Sequence, residues 1–204
     1  MISNVTEVKI TGIADPTALG LFGFSVVTLL AASQKLGLTA GTPYIIPWAV
    51  FVGGIMQVIG GVLDFKKGSV FGGTAFTSYG FFWIAVGFTW LINMGVFGEQ
   101  MFLAIDSNQF GVAIIAFLII SIFFTIGSME MNKTLFVAFL AVDVLLLALA
   151  LSTFGILPDF FGTLAGWAEL TASIFAFWTG GASLLANHFG KPVLPTGKPF
   201  GIFK

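Results

Sequence analysis

The sequence predicts an all-α integral membrane protein of six transmembrane helices, and three observations carry that prediction. Charged residues make up 8% of the chain and apolar ones 57%, whereas a soluble domain averages about 25% charged. A chain this poor in charge has too little polar surface to face water. The apolar residues fall into six runs, each long enough to cross a hydrocarbon core of about 30 Å. Finally, Lys9, Lys66, Lys67, Lys133, Lys191, Lys198 and Lys204 fall on one side of a six-helix layout and only Lys35 on the other. That bias predicts cytoplasmic termini, an even number of crossings and a multi-pass protein of the plasma membrane.

The first run spans 16–34. Asp15 is a good N-cap, Pro16 suits the first helical position, and no residue from Pro16 to Gln34 is charged. The second run, 44–63, carries Gly53, Gly54, Gly60 and Gly61, with Gln57 between them at helical spacing. The third, 71–92, opens on Gly72 and Gly73 and continues through Thr74, Thr77, Ser78 and Tyr79. Runs at 109–128, 134–154 and 162–187 complete the bundle. Small residues on a membrane helix let backbones approach closely, so the glycines read first as packing. Gln57, Thr77 and Ser78 have no partner in lipid, which points some of them toward an aqueous path. Tyr44, Trp48, Trp90 and Trp167 cluster at the side opposite the termini, as an aromatic belt would. The connectors are short, with Asp64 falling in the one that ends at Val70. The expected organisation is therefore a tail over 1–14, a membrane domain over 15–188 and a second tail over 189–204. The first fourteen residues lack the cationic start and apolar core of a signal peptide.

Composition excludes several classes. The chain has no cysteine, so disulfides, iron–sulfur clusters and thiolate metal sites are ruled out. A net charge of −1 gives no footing for nucleic acid. His188 is the only histidine and sits at a helix end, where an interfacial role suits it better than that of base or ligand. Neither a nucleophile–base pair, nor a metal cluster, nor a phosphate loop is visible, so no enzyme, cofactor or metal is expected.

All eight basic residues are lysines at membrane edges. A carboxylate inside the bundle would meet no guanidinium fork and only hydroxyls, amides, indoles or helix ends. Such a lining suits the passage of a small solute better than tight capture of a multiply charged one. Two carboxylates interrupt the apolar runs, Asp143 and Glu169. An acid within the membrane is costly and is a functional candidate by default. With no fixed cation in view, each reads either as a proton-coupling group or as a protonated acid hydrogen-bonded between helices.

The stretch Asp15-Pro16-Thr17-Ala18-Leu19-Gly20-Leu21 resembles the N-P-A-P-L-G-L signature of the acetate uptake transporters, also called succinate–acetate permeases. Further similarities follow in order: Gly53-Gly54-Ile55-Met56-Gln57, Asp64-Phe65-Lys66-Lys67-Gly68, Phe71 to Trp83, Ala165-Gly166-Trp167, and the tail from Phe189 to Pro195. The resemblance covers nearly the whole chain. It implies a homo-hexamer in the lipid bilayer, each protomer passing acetate and similar small carboxylates through its own path. It also implies a hydrophobic constriction at Phe24, Tyr79 and, by an ungapped alignment, Val142. These three lie about seven to nine residues into segments that start on the same side, a shared depth of about 10–14 Å.

Asp15 departs from the asparagine of the signature and Ala18 from its proline, and a carboxylate at a helix N-terminus competes with an anion for the same dipole. Asp143 adjoins the implied constriction, where the resemblance leads one to expect a neutral residue. The function expected is acetate passage, as anion channel or proton-linked transporter. A channel for a neutral solute such as urea or a short amide is the alternative, since missing cations suit it equally.

Overall fold

The computed structural model describes residues 12–203, all of its regular structure helical. Six helices are long and apolar enough to cross a membrane: α1 Thr17–Lys35, α2 Ile45–Lys67, α3 Val70–Asn93, α4 Ser107–Ser128, α5 Lys133–Thr153 and α6 Pro158–Phe189. A single-turn helix, Glu99–Leu103, lies in the connector between α3 and α4.

The helix starts follow their caps. Ser69 accepts the Gly72 N–H at 3.2 Å and opens α3, Asp106 accepts from Asn108 N at 2.9 Å for α4, and Asn132 from Leu135 N at 2.9 Å for α5. Between α2 and α3 the chain turns on Gly68, whose φ of 91° a side chain would resist. The first helix begins one residue later than the sequence suggests: Pro16 is the boundary residue and its carbonyl accepts the Gly20 N–H at 3.1 Å.

Two elements exceed their expected bounds. α6 starts at Pro158, in the first-turn position that proline favours, and runs 32 residues instead of the expected 162–187. At about 1.5 Å per residue it outreaches the hydrocarbon core. In α2, residues Trp48–Met56 form a π-helix between an α turn and the α-helical Gln57–Lys67. Pro47 has no N–H to give, which favours such a departure from the regular ladder here.

The helices close most of a ring. α6 lies along both α1 and α5, α4 packs on α5, and α2 fits between α1 and α3, while α3 and α4 meet only lightly. The α1–α2 contact is backbone to backbone: a Cβ added at Gly60 would stand 3.3 Å from the Gly20 Cα. The segment after α6 is docked and does not trail. Pro195 O accepts from Trp178 Nε1 at 2.8 Å, Thr196 O from Thr134 N at 3.1 Å, and Met129 O from Phe200 N at 2.8 Å. The Phe200 ring meets Phe136 at a centroid distance of 5.0 Å.

Candidate functional site

Two cavities lie in line through the middle of the bundle. The first, of about 110 Å³, opens among the N-terminal ends of α1, α3 and α5 and is lined by Thr17, Gln57, Asp64, Asn132 and Thr179 among apolar neighbours. The second, of about 160 Å³, lies toward the opposite end and is lined by Thr28, Lys35, Trp83, Trp90 and Glu169. Phe24, Tyr79 and Val142 line both cavities, and no other described residue does. Each is at least nine-tenths buried. The Phe24 and Tyr79 rings meet edge to face at 5.9 Å, and Phe124 and Phe139 back Tyr79 at 5.8 and 6.2 Å. That aromatic backing fixes the tyrosine ring. The arrangement is a thin apolar septum made by one side chain from each odd-numbered helix.

The polar residues picked out by sequence divide. Gln57 is buried, lines the first cavity and donates Nε2 to Gly53 O, one turn back in the π-helix. Thr77 lines neither cavity and donates its hydroxyl to Gly73 O at 2.6 Å; Ser78 also lies away from both. Of the signature residues, Asp15 makes the most side-chain polar contacts, and the Thr17 hydroxyl donates to its Oδ1 at 2.7 Å. Its Oδ1 accepts from Thr17 N at 3.2 Å and from Lys67 Nζ at 2.8 Å, and its Oδ2 from Asn187 at 3.2 Å. Asp15 is therefore more than a cap: it ties the ends of α1, α2 and α6 together. Burial alone would raise its pKa, but the Lys67 ammonium and the Thr17 and Asn187 donors hold it down to about 2. Pro16 and Gly20 are buried at the same entry and Leu19 is half-buried.

The intramembrane acids prove unlike. Glu169 does have a fixed cation, contrary to expectation: Lys35 Nζ lies 2.8 Å from its Oε2, and its side chain is 3% exposed. The lysine stem carries the charge inward from the end of α1. Asp143 has no cation among the described residues. Ser121 donates to its Oδ1 and Thr125 donates to its Oδ2 at 2.6 Å, both from α4. It lines neither cavity.

Sequence reasoning missed Asp64. Placed in a connector by its neighbouring lysines, it is in fact 3% exposed within α2 and lines the first cavity. The Lys35–Glu169 pair joins residues 134 positions apart, and no local pattern announces it. Among the described residues no group of three or more His, Asp or Glu side chains converges as metal ligands would.

Residues 2–196 match the model of the GPR1/FUN34/yaaH family. The chain belongs to that family. It is 31% identical over 194 residues to the succinate-acetate/proton symporter SatP of Escherichia coli, covering 92% of this chain and 97% of that one. It is 27% identical to acetate permease A of Emericella nidulans, covering 91% of this chain and 69% of the permease. A solved structure of the bacterial acetate channel SatP matches with a TM-score of 0.82 at 31% identity, over 90% of this chain and 99% of its own. The protein is thus a multi-pass membrane protein whose relatives transport acetate.

Proposed function

We propose that this protein passes acetate and similar small monocarboxylates across the plasma membrane, through a path in each protomer that crosses the septum of Phe24, Tyr79 and Val142. The observation that carries this reading is that, among the described residues, those three side chains alone line both cavities. Gln57 is a neutral donor of the first cavity, whereas Thr77 and Ser78 lie outside both cavities and off the path. Asp15, Pro16, Leu19 and Gly20 shape the entry of α1. The protomers assemble as a homo-hexamer with cytoplasmic termini. Lys35 alone opposes that orientation by charge, and Glu169 neutralises it.

The names of the relatives carry both modes, a symporter and a channel. Moving the bare anion is worth about 2.3 kcal/mol per 100 mV, whereas moving it with a proton is electroneutral. Asp143, without a cation among the described residues, is the stronger candidate for a proton-coupling group, and Glu169, already ion-paired, the weaker. Labelled acetate flux into proteoliposomes, with potential and pH gradient imposed separately, decides. Flux that follows the potential and ignores the pH gradient marks a channel, and uphill flux driven by protons a symporter. No flux in either case overturns the acetate reading. Within it, Phe24→Ala should raise the flux of butyrate relative to acetate several-fold; an unchanged ratio removes Phe24 from the path.

One observation favours a second reading, a channel for urea or a short amide. Among the described residues the only lysine lining either cavity, Lys35, is spent on Glu169. Urea flux exceeding acetate flux in the same liposomes would select it.

A further inference from the structure

Asp64 is the one acid that lines the first cavity among the described residues. It is 3% exposed, yet among the described residues neither a hydrogen-bond donor nor a cation engages its side chain; the ion pairs there are Lys35–Glu169 and Lys67–Asp15. A Cβ added at Gly72 would run into its Oδ2, so the carboxylate lies against the first turn of α3. The rest of the cavity suits an anion. Thr17, Ser69 and Asn132 stand at the starts of α1, α3 and α5 and all line it, so three positive helix ends converge there. The protein thus keeps a carboxylate of its own where a carboxylate substrate has to pass.

We propose that Asp64 shares one proton with each carboxylate that enters the first cavity, and that the substrate crosses the septum as the neutral acid. The proposal rests on the acetate reading and supplies its proton-linked form. Two ionised carboxylates confined to about 110 Å³ repel each other, and such pairs hold a single proton between them. That proton turns one of the two acceptors into a donor, in a cavity that no lysine lines among the described residues. The transfer balances: the O–H of Asp64 breaks as the O–H of the substrate forms, and Asp64 keeps the negative charge beside the positive end of α3. The neutral acid then meets Phe24, Tyr79 and Val142, a septum that a bare anion crosses only at a large desolvation cost. Asp64 takes its next proton from water at the mouth of the cavity. For flow in the other direction the steps reverse.

The charged and titratable groups around Asp64 are few. On α2 itself Lys66 is exposed, and Lys67 is bonded to Asp15 just ahead of α1. α3 carries no charged residue and presents Tyr79 on the cavity wall. Lys133, first in α5, lies over the Phe200 ring at 5.8 Å, and Glu130 before it accepts from Ile202 and Phe203. His188 is in the last turn of α6. The other two intramembrane acids do not meet a substrate on these terms: Glu169 is held by Lys35, and Asp143 lines neither cavity.

Infrared spectra of the full chain in lipid, with isotope-labelled acetate at a pH where free acetate is ionised, test the shared proton. The label separates the bands of acetate from those of the protein. The acetate-bound wild type should show a protonated-carboxyl band, on acetate or on Asp64, that Asp64→Asn lacks. Labelled acetate in the variant, displaced by unlabelled acetate, should show ionised bands only, which also establishes that the variant has folded. Spectra that agree in the protonated region overturn the proposal. So does loss of the band in Asp143→Asn with Asp64→Asn unchanged, which would move the proton to Asp143. Flux into proteoliposomes supplies the second readout. A proton gradient should drive acetate uphill in the wild type, and Asp64→Asn should lose that accumulation and follow the membrane potential. A variant that still accumulates acetate uphill, or a wild type whose flux ignores the pH gradient, overturns the proposal and leaves the acetate reading standing. The expected band with no acetate flux under either gradient would support the shared proton and sink the acetate reading instead.

Discussion

Asp143 and Glu169 are both acids within membrane-spanning helices, and the protein satisfies them in opposite ways. Glu169 on α6 takes the ammonium of Lys35 from α1, across 134 residues of chain, in a pair almost closed to water. Asp143 on α5 takes two hydroxyls from α4, the helix next to it in sequence. The ion pair fixes two charges and joins non-adjacent helices at the rim of the second cavity. The hydroxyl cradle has oxygens that both give and take protons, so it can hold the acid in either protonation state. One acid is thus held by a fixed charge and the other by hydroxyls that suit either of its protonation states.

The sharpest way to break this contrast is to remove the cation. Lys35→Met leaves Glu169 buried and unpaired, which should cost about 3–5 kcal/mol of stability. Thermal unfolding of the detergent-solubilised protein would read it. The double variant Lys35→Met/Glu169→Gln should recover most of the loss, because the uncompensated charge is gone. A single variant as stable as the wild type would mean that water already reaches Glu169 from the second cavity.

The same measurement on the other acid should give less. Asp143→Leu takes the acceptor from Ser121 and Thr125, at a cost of about 1–2 kcal/mol. Both hydroxyls have a way out, since a helix carbonyl one turn back can accept them, as Phe24 O does from Thr28 at 2.6 Å. Asp143→Asn keeps both partners and should stay within about 0.5 kcal/mol of the wild type. Asp143→Leu costing as much as Lys35→Met would erase the distinction between the two acids.

Much of this architecture is legible in the sequence, for reasons that also mark where legibility stops. The six spans follow from composition because lipid tolerates no other arrangement of these runs, whereas the last run is placed at 162–187 and the helix starts earlier, at Pro158. The meeting of Phe24 with Tyr79 and Val142 has a partial signal, the shared depth of three helices that begin on the same side. What sequence cannot carry is pairing at a distance. Lys35 reads as a water-facing lysine and Glu169 as a lone acid until folding brings α1 against α6. Asp64 is misplaced for a related reason: two following lysines make it look like loop, whereas the helix continues to Lys67 and turns the carboxylate inward. The π-helix at Trp48–Met56 leaves no sequence period of its own, because one extra residue per turn shifts a register that the uniformly apolar run does not display.

Asp15 extends the comparison to a carboxylate outside the membrane-spanning segments, and its removal should cost less than Lys35→Met or Asp143→Leu. Its pKa sits at about 2 against an ordinary 3.8, so the folded state holds its charge more strongly than the unfolded chain does. The stabilisation is complete above 3.8, and it disappears as pH falls through the interval down to about 2. A shift of this size would convert to about 2.4 kcal/mol at full strength. The Lys67 and Asp15 side chains keep 41% and 22% of their surface exposed, and screening should leave about 1 kcal/mol. Asp15→Asn should therefore lose about that much at neutral pH and should flatten the acid limb of the unfolding curve. Because this pair faces water, raising the salt concentration should erase most of the difference, whereas the effect of Lys35→Met should persist. If salt weakens both equally, the Lys35–Glu169 pair is as wet as the Lys67–Asp15 pair, and its place in the structural half of the comparison is lost.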